Sequence, residues 1–210
     1  MAVTLVMAPH DSRAHEGKAA DTIVAARQKT DQAQEQQVLE HDERAQFKAV
    51  PEGESDAYRE RLVAKLCTIL DLSRSQNVNM PPADSLESMF YSVTKQAFSL
   101  EFYIRRVVLY LPDCSASVFV AAVYYLAKLQ AANPMLALNE MNIHRLFLTA
   151  VVVATKFAED LGYSNGYVAK VGGIQSVKEM NRMEVVFLKF LEYNCFIEPE
   201  VYDEFAKLVF

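Results

Sequence analysis

Residues 142–194 read NIHRLFLTAVVVATKFAEDLGYSNGYVAKVGGIQSVKEMNRMEVVFLKFLEYN. The first part is strongly apolar and continues upstream, so its spacing predicts a long helix from Glu140 to Asp160, capped by Asn139. In the last part Met180, Met183, Phe187, Leu188 and Leu191 recur at three- and four-residue steps, one face of a helix. Ser176 is placed to cap that helix, with Glu179 completing a capping box, and it runs to about Glu192. Between the two helices fall Gly162, Gly166, Gly172 and Gly173, four of the six glycines in the chain. They frame a short helix near Gly166–Val171 and confine the tight turns to one connection.

The same reading extends outward. Ser115 or Ser117 caps a helix from Ala116 to Ala131 that is apolar nearly all round, so it should be central. Ser99 caps a helix from Leu100 to Tyr110, stopped by Pro112. Leu86–Val93 is a candidate short helix. Leu62, Val63, Leu66, Ile69 and Leu70 mark a helix from Tyr58 to about Ser73. A last helix starts after Glu198, with Pro199 in its first turn, and runs to Phe210. From Glu54 to Leu161 there is no glycine. Tight hairpins and nucleotide-binding turns both want glycine, so the fold class is all-α, with six or seven helices on short loops.

The 210 residues suit one domain with a tail. Residues 1–56 are polar and rich in Gln, Asp and Glu. They are expected to form a disordered tail, ahead of a helical domain over 57–210. Formal net charge is -6, most of it in the first 60 residues. That argues against a protein that works by neutralising nucleic-acid phosphates. Cys67, Cys114 and Cys195 are too widely spaced for a disulfide framework or a zinc knuckle, so a reducing cytoplasm or nucleus is expected. The N-terminus is a poor signal peptide and no apolar run reaches the ~20 residues of a membrane span. Neither a membrane nor a small-molecule substrate is expected as a partner, and no cofactor or metal is expected.

Two charges do not fit their surroundings. Glu184 lies four residues from both Met180 and Leu188, on the apolar face of its helix. Lys156 follows Val152 and Leu148 at helical spacing. A charge among apolar neighbours needs a partner. Either the two pair with each other inside the domain, or they stand at the rim of a groove and bond another protein. Catalytic motifs are missing: there is no GxSxG, GxxxxGK, HExxH or CxxC. His144 is a lone helical histidine, and Glu159-Asp160 reads as a solvated helix end. The chain is not expected to be an enzyme.

Residues 142–194, with FSLEFYIRRVVLY and SVFVAAVYYLAKL upstream, resemble the cyclin box. They are most similar to the single-box cyclins of the phosphate-signalling and plant U and P types. The run Ala-Lys-Val-Gly-Gly-Ile, with Asn181 and Glu184 following it, carries the likeness. The resemblance covers about residues 98–209, with the box at about 98–194. It implies a five-helix box with flanking helices, wrapped around the helix 116–131 or its successor. It also implies a regulatory subunit that binds and activates a cyclin-dependent protein kinase by positioning the kinase's mobile helix. The lysine of Ala-x-Lys-Phe and the glutamate of Asn-x-x-Glu map onto Lys156 and Glu184, with Val153, Phe157 and Leu188 beside them to receive an apolar side chain. Two features depart from the pattern. Ala127 stands where relatives carry an acid, which leaves Arg105 or Arg106 in need of another acceptor. The docking motif of mitotic cyclins is missing near Lys95–Phe98. The Ala127 departure motivates an alternative, a cyclin-like helical adaptor or scaffold that activates no kinase.

If residues 1–55 are a tail, a chain begun at residue 56 should melt within a degree or two of the full chain. Differential scanning calorimetry would check this; a large fall in melting temperature would show that the segment packs on the domain.

Overall fold

The computed structural model describes residues 54–160 and 162–210. Residues 1–53, which hold nearly all of the expected tail, lie outside the described residues. Helix α1 is Glu54–Leu72, α2 Leu100–Tyr110, α3 Ala116–Ala132, α4 Ile143–Ala158, α5 Asn165–Gly172, α6 Val177–Phe190 and α7 Pro199–Val209. Two single 3-10 turns, Glu87–Phe90 and Pro134–Leu136, complete the elements. Among the described residues every regular element is helical, as the glycine distribution requires.

Serine caps start three of the helices. Ser99 Oγ accepts from the Phe102 N–H at 3.2 Å, Ser164 Oγ from Tyr167 at 3.2 Å and Ser176 Oγ from Glu179 at 3.1 Å. Each satisfies one of the orphan donors at a helix start. Other expectations need correction. The helix expected from Glu140 begins at Ile143. Asn139 is buried instead in a turn, where its Oδ1 accepts from the Met141 N–H at 3.0 Å and its own N–H is bonded by Asn142 Oδ1 at 2.8 Å. Asparagine side chains compete with the helix for backbone partners in this way. The segment Leu86–Val93 keeps only its 3-10 turn, since Tyr91 is already extended. Helix α6 ends at Phe190; Glu192 and Tyr193 then adopt left-handed φ of 55° and 56°, which no helix continues.

The two candidates for the centre resolve in favour of α4. It packs against α2, α3, α5 and α6. From Ile143 to Thr155 each residue except Arg145 is buried. Helix α3 lies along it, with α7 on the far side of α3, and α1 rests on α2 and α7. Burial of a Leu, Val or Phe side chain is worth ~1.5–3 kcal/mol, so α4, together with the equally apolar α3, supplies much of the driving force for the arrangement. Arg145, the exception, is not solvated freely. Its Nε donates to the Met89 carbonyl at 2.8 Å and its Nη2 to Glu179. Glu179 therefore does not return to its own helix start, and only the serine half of the expected capping box forms.

The helix ends are tied by side chains that reach across. Glu159, read as solvated, accepts from the Ser115 backbone N–H at 3.2 Å and from its hydroxyl, so it caps α3 from the end of α4. Tyr163 Oη accepts from the Asp113 N–H at 2.9 Å, and Tyr167 Oη donates to the Tyr110 carbonyl at 2.8 Å. These bonds pin α5 against the end of α2. Gly172 closes α5 where no side chain fits. A Cβ there would stand 2.1 Å from Leu148 Cδ2 and 3.0 Å from the Tyr103 hydroxyl. Leu148 is fully buried in α4 and has no room to yield.

Gly172→Ala should therefore destabilise the domain by about 1–3 kcal/mol despite the better helix propensity of alanine. Gly162→Ala, whose nearest neighbour would be 4.0 Å away, should be close to neutral. Urea unfolding of both variants would check the contrast.

Candidate functional site

Helix α4 leaves its sheath in its last turn. Val153 is buried, whereas Lys156 and Phe157 reach solvent. Helix α6 runs beside this turn and brings Glu184 and Leu188 to it. The five residues singled out in the sequence line one shallow depression of about 170 Å³, together with Cys195. That is smaller than the ~300–1,000 Å³ of small-molecule pockets and suits a single apolar side chain. Larger hollows lie between α1 and α7, about 470 Å³, and beside the start of α6, about 620 Å³, but neither carries the paired charges.

The two misfit charges meet at the rim. Lys156 Nζ donates to both carboxylate oxygens of Glu184, at 2.8 Å to Oε1 and 2.7 Å to Oε2. Their exposure is unequal: the lysine side chain is 41% exposed and the glutamate 15%. The first reading of the sequence, a mutual pair, is what forms, and that pair stands on the depression.

A third polar residue belongs to the same site and was missed. Asn165, the first residue of α5, donates from Nδ2 to Glu184 Oε2 and to Asn181 Oδ1, each at 2.6 Å. Asn181 and Glu184 are three apart on α6 and so share a face; that spacing was the available signal. Asn165 itself sits between Gly162 and Gly166, where a polar residue near a turn draws no notice. Cys195 was also missed as a lining residue. Cys67, Cys114 and Cys195 are all free thiols, and burial pushes the Cys195 thiol up from its ordinary value.

The replaced acid at position 127 leaves no orphan cation. Ala127 is exposed. Arg106 Nε donates to the Val171 carbonyl at 2.8 Å, and its guanidinium lies 5.0 Å from the centre of the Tyr110 ring. Arg105 is held by Glu60 and Glu101. Lys128 Nζ reaches the Asn194 carbonyl at 2.9 Å.

The described residues thus form an all-α domain wound on one sheathed helix, with a charged pair over an apolar depression at its exit. The family model described as "Cyclin" matches residues 18–195. Cyclin-U4-1 of Arabidopsis thaliana is 35% identical over 155 residues, covering 72% of this chain and 76% of that protein. Cyclin-P4-1 of Oryza sativa subsp. japonica is 37% identical over 122 residues, covering 58% of this chain and 57% of that protein. Cyclin-U4-3 of Arabidopsis thaliana is 40% identical over 126 residues. Against these last two the chain spans little more than half of their length. The chain belongs to the cyclin family, and a regulatory role comes with that membership.

The described histidine has a structural setting. His144 lies edge-on to Tyr103 at 4.8 Å and to Phe98 at 5.5 Å, and its Nε2 is buried with no hydrogen-bond partner. Burial, aided by the charge of Arg74, pushes its pKa down to about 4. The imidazole is therefore neutral at pH 7 and packed, not presented in a polar pocket.

Because the unfolded chain binds the proton more readily, with an ordinary pKa of about 6.5, the stabilisation from a neutral His144 is complete above that value. It is lost as pH falls towards about 4. His144→Gln should flatten the stability loss between pH 6.5 and pH 4 relative to the parent chain. Urea unfolding across that range would check it; identical slopes would show that His144 is not the group responsible.

Proposed function

We propose that this cyclin binds a cyclin-dependent protein kinase through the groove at the exit of α4 and activates it. The observation that carries this reading is the convergence of Lys156, Glu184, Val153, Phe157 and Leu188 on one depression. A kinase needs its catalytic lysine held by a glutamate on a movable helix, with magnesium and phosphates aligned. A regulatory subunit that binds only the inward position of that helix shifts the equilibrium by its differential affinity. In this reading an apolar side chain of the kinase enters the depression and supplies most of the affinity. Lys156 and Glu184 exchange part of their mutual contact for bonds to the kinase and fix register. The complex would work in the cytoplasm or the nucleus, where kinases of this class and three free thiols are compatible.

The adaptor reading rested on Ala127. That position is exposed, and Arg105 and Arg106 have other partners, so nothing in the packing favours loss of kinase contact. Purification of the chain from its native cells separates the two readings, since an adaptor would bring down no kinase.

Lys156→Ala and Glu184→Ala should each weaken association with a cyclin-dependent kinase by roughly tenfold or more, with the helical circular dichroism unchanged. Titration against a panel of purified cyclin-dependent kinases would check this. Normal binding by both variants would remove the groove from the interface.

A further inference from the structure

Glu184 is held from two sides. Lys156 approaches from the solvent side, on a long flexible stem that is 41% exposed. Asn165 approaches from α5 on a short side chain, with Nδ2 at 2.6 Å from Glu184 Oε2. The two holders differ in what they can do. A lysine at the rim can turn outward with its ammonium still in water. Asn165 cannot leave, because its helix is anchored by Tyr167 to the Tyr110 carbonyl and by Arg106 to the Val171 carbonyl.

The asparagine is also retained at a cost. Its Oδ1 is buried with no hydrogen-bond partner, and an unsatisfied buried acceptor is unfavourable. A small apolar residue at 165 would avoid that penalty. What the amide provides in return is its N–H group, given to Glu184 Oε2 and Asn181 Oδ1 together. Glu184 is only 15% exposed. Once Lys156 turns to another protein, a carboxylate so poorly solvated needs a fixed donor or it swings out of register.

We infer that Asn165 is a positioning residue for partner binding. It locks Oε2 of Glu184 so that Oε1 stays aimed into the groove when Lys156 leaves it. The inference rests on the groove being the kinase interface, and it deepens that reading by assigning the start of α5 a role in it. Asn165 acts through Glu184 and need not touch the kinase.

A double-mutant cycle on the full chain tests this. The probe is the purified cyclin-dependent kinase that the parent chain binds most tightly in a panel, and the readout is the dissociation constant. Asn165→Ala should weaken binding roughly tenfold. Asn165→Asp keeps the shape but replaces the donor with a second carboxylate, and it should weaken binding at least as much. In a Glu184→Ala background, Asn165→Ala should add no more than about a twofold change. Equal weakening in both backgrounds would mean that Asn165 acts through general packing, and would overturn the inference. So would normal binding by Asn165→Asp. If Glu184→Ala itself binds normally, the groove reading fails and the inference goes with it; if Glu184→Ala weakens binding but Asn165→Ala does not, only the inference fails.

Discussion

The sheathing of α4 governs this molecule. A helix buried from Ile143 to Thr155 on all but one residue has to be covered along about three and a half turns of its length. That is why α2, α3, α5 and α6 all lie against it. Each covering helix is placed by the residue it must seat: Gly172 lets α5 approach Leu148, and Met183 and Phe187 close the side facing α6. The site falls where this demand stops. In the last turn of α4 the sheath is incomplete, and Phe157 stays 57% exposed. An apolar depression with charged walls is what remains when a buried helix emerges between two of its neighbours.

What was legible in the sequence was local. Ser99 and Ser176 announce their helices because a cap bonds the amide three residues on. The apolar stripe of α6 and the all-round apolarity of α3 needed only helical periodicity. Errors arose where a side chain serves a distant partner. Glu179 has the spacing of a capping box, yet Arg145, 34 residues away, takes its carboxylate. Glu159 looks like a solvated helix end until Ser115, at the start of α3, is found giving it a backbone N–H and a hydroxyl. Asn139 has the residue type of a cap, but its Oδ1 takes the Met141 N–H while Asn142 Oδ1 takes the Asn139 N–H, and the helix is delayed to Ile143.

The site divides along the same line. Lys156 and Glu184 stood out because a charge on an apolar face is an inconsistency visible in one helix at a time. Asn165 carried no such inconsistency, because a polar residue near a turn is ordinary. Its meaning depends on the 16- and 19-residue separations that bring it to Asn181 and Glu184. The substitution at Ala127 shows the converse. A departure from the family pattern looked costly because the pattern alone does not say where the residue points. With Ala127 on the surface and Arg106 bonded to a helix-end carbonyl, the cost is absorbed by partners that no motif includes.

The inequality between the two groove charges decides how such a site can be used. An exposed ion pair is worth little, ~0–1 kcal/mol, and Lys156 on its own has that character. Glu184 is more enclosed, so a carboxylate stripped of donors there is far less tolerable than a freed lysine. An incoming protein can therefore draw Lys156 outward at small cost, provided that Glu184 keeps a donor. Exchange of one set of bonds for another yields a small net gain, so the charges contribute selectivity and register more than affinity. In the proposed complex the affinity would come from apolar surface, which the groove offers in Phe157, Leu188 and the floor at Val153. In that proposal polar rim and apolar floor have separate tasks, and both follow from the place where α4 leaves its sheath.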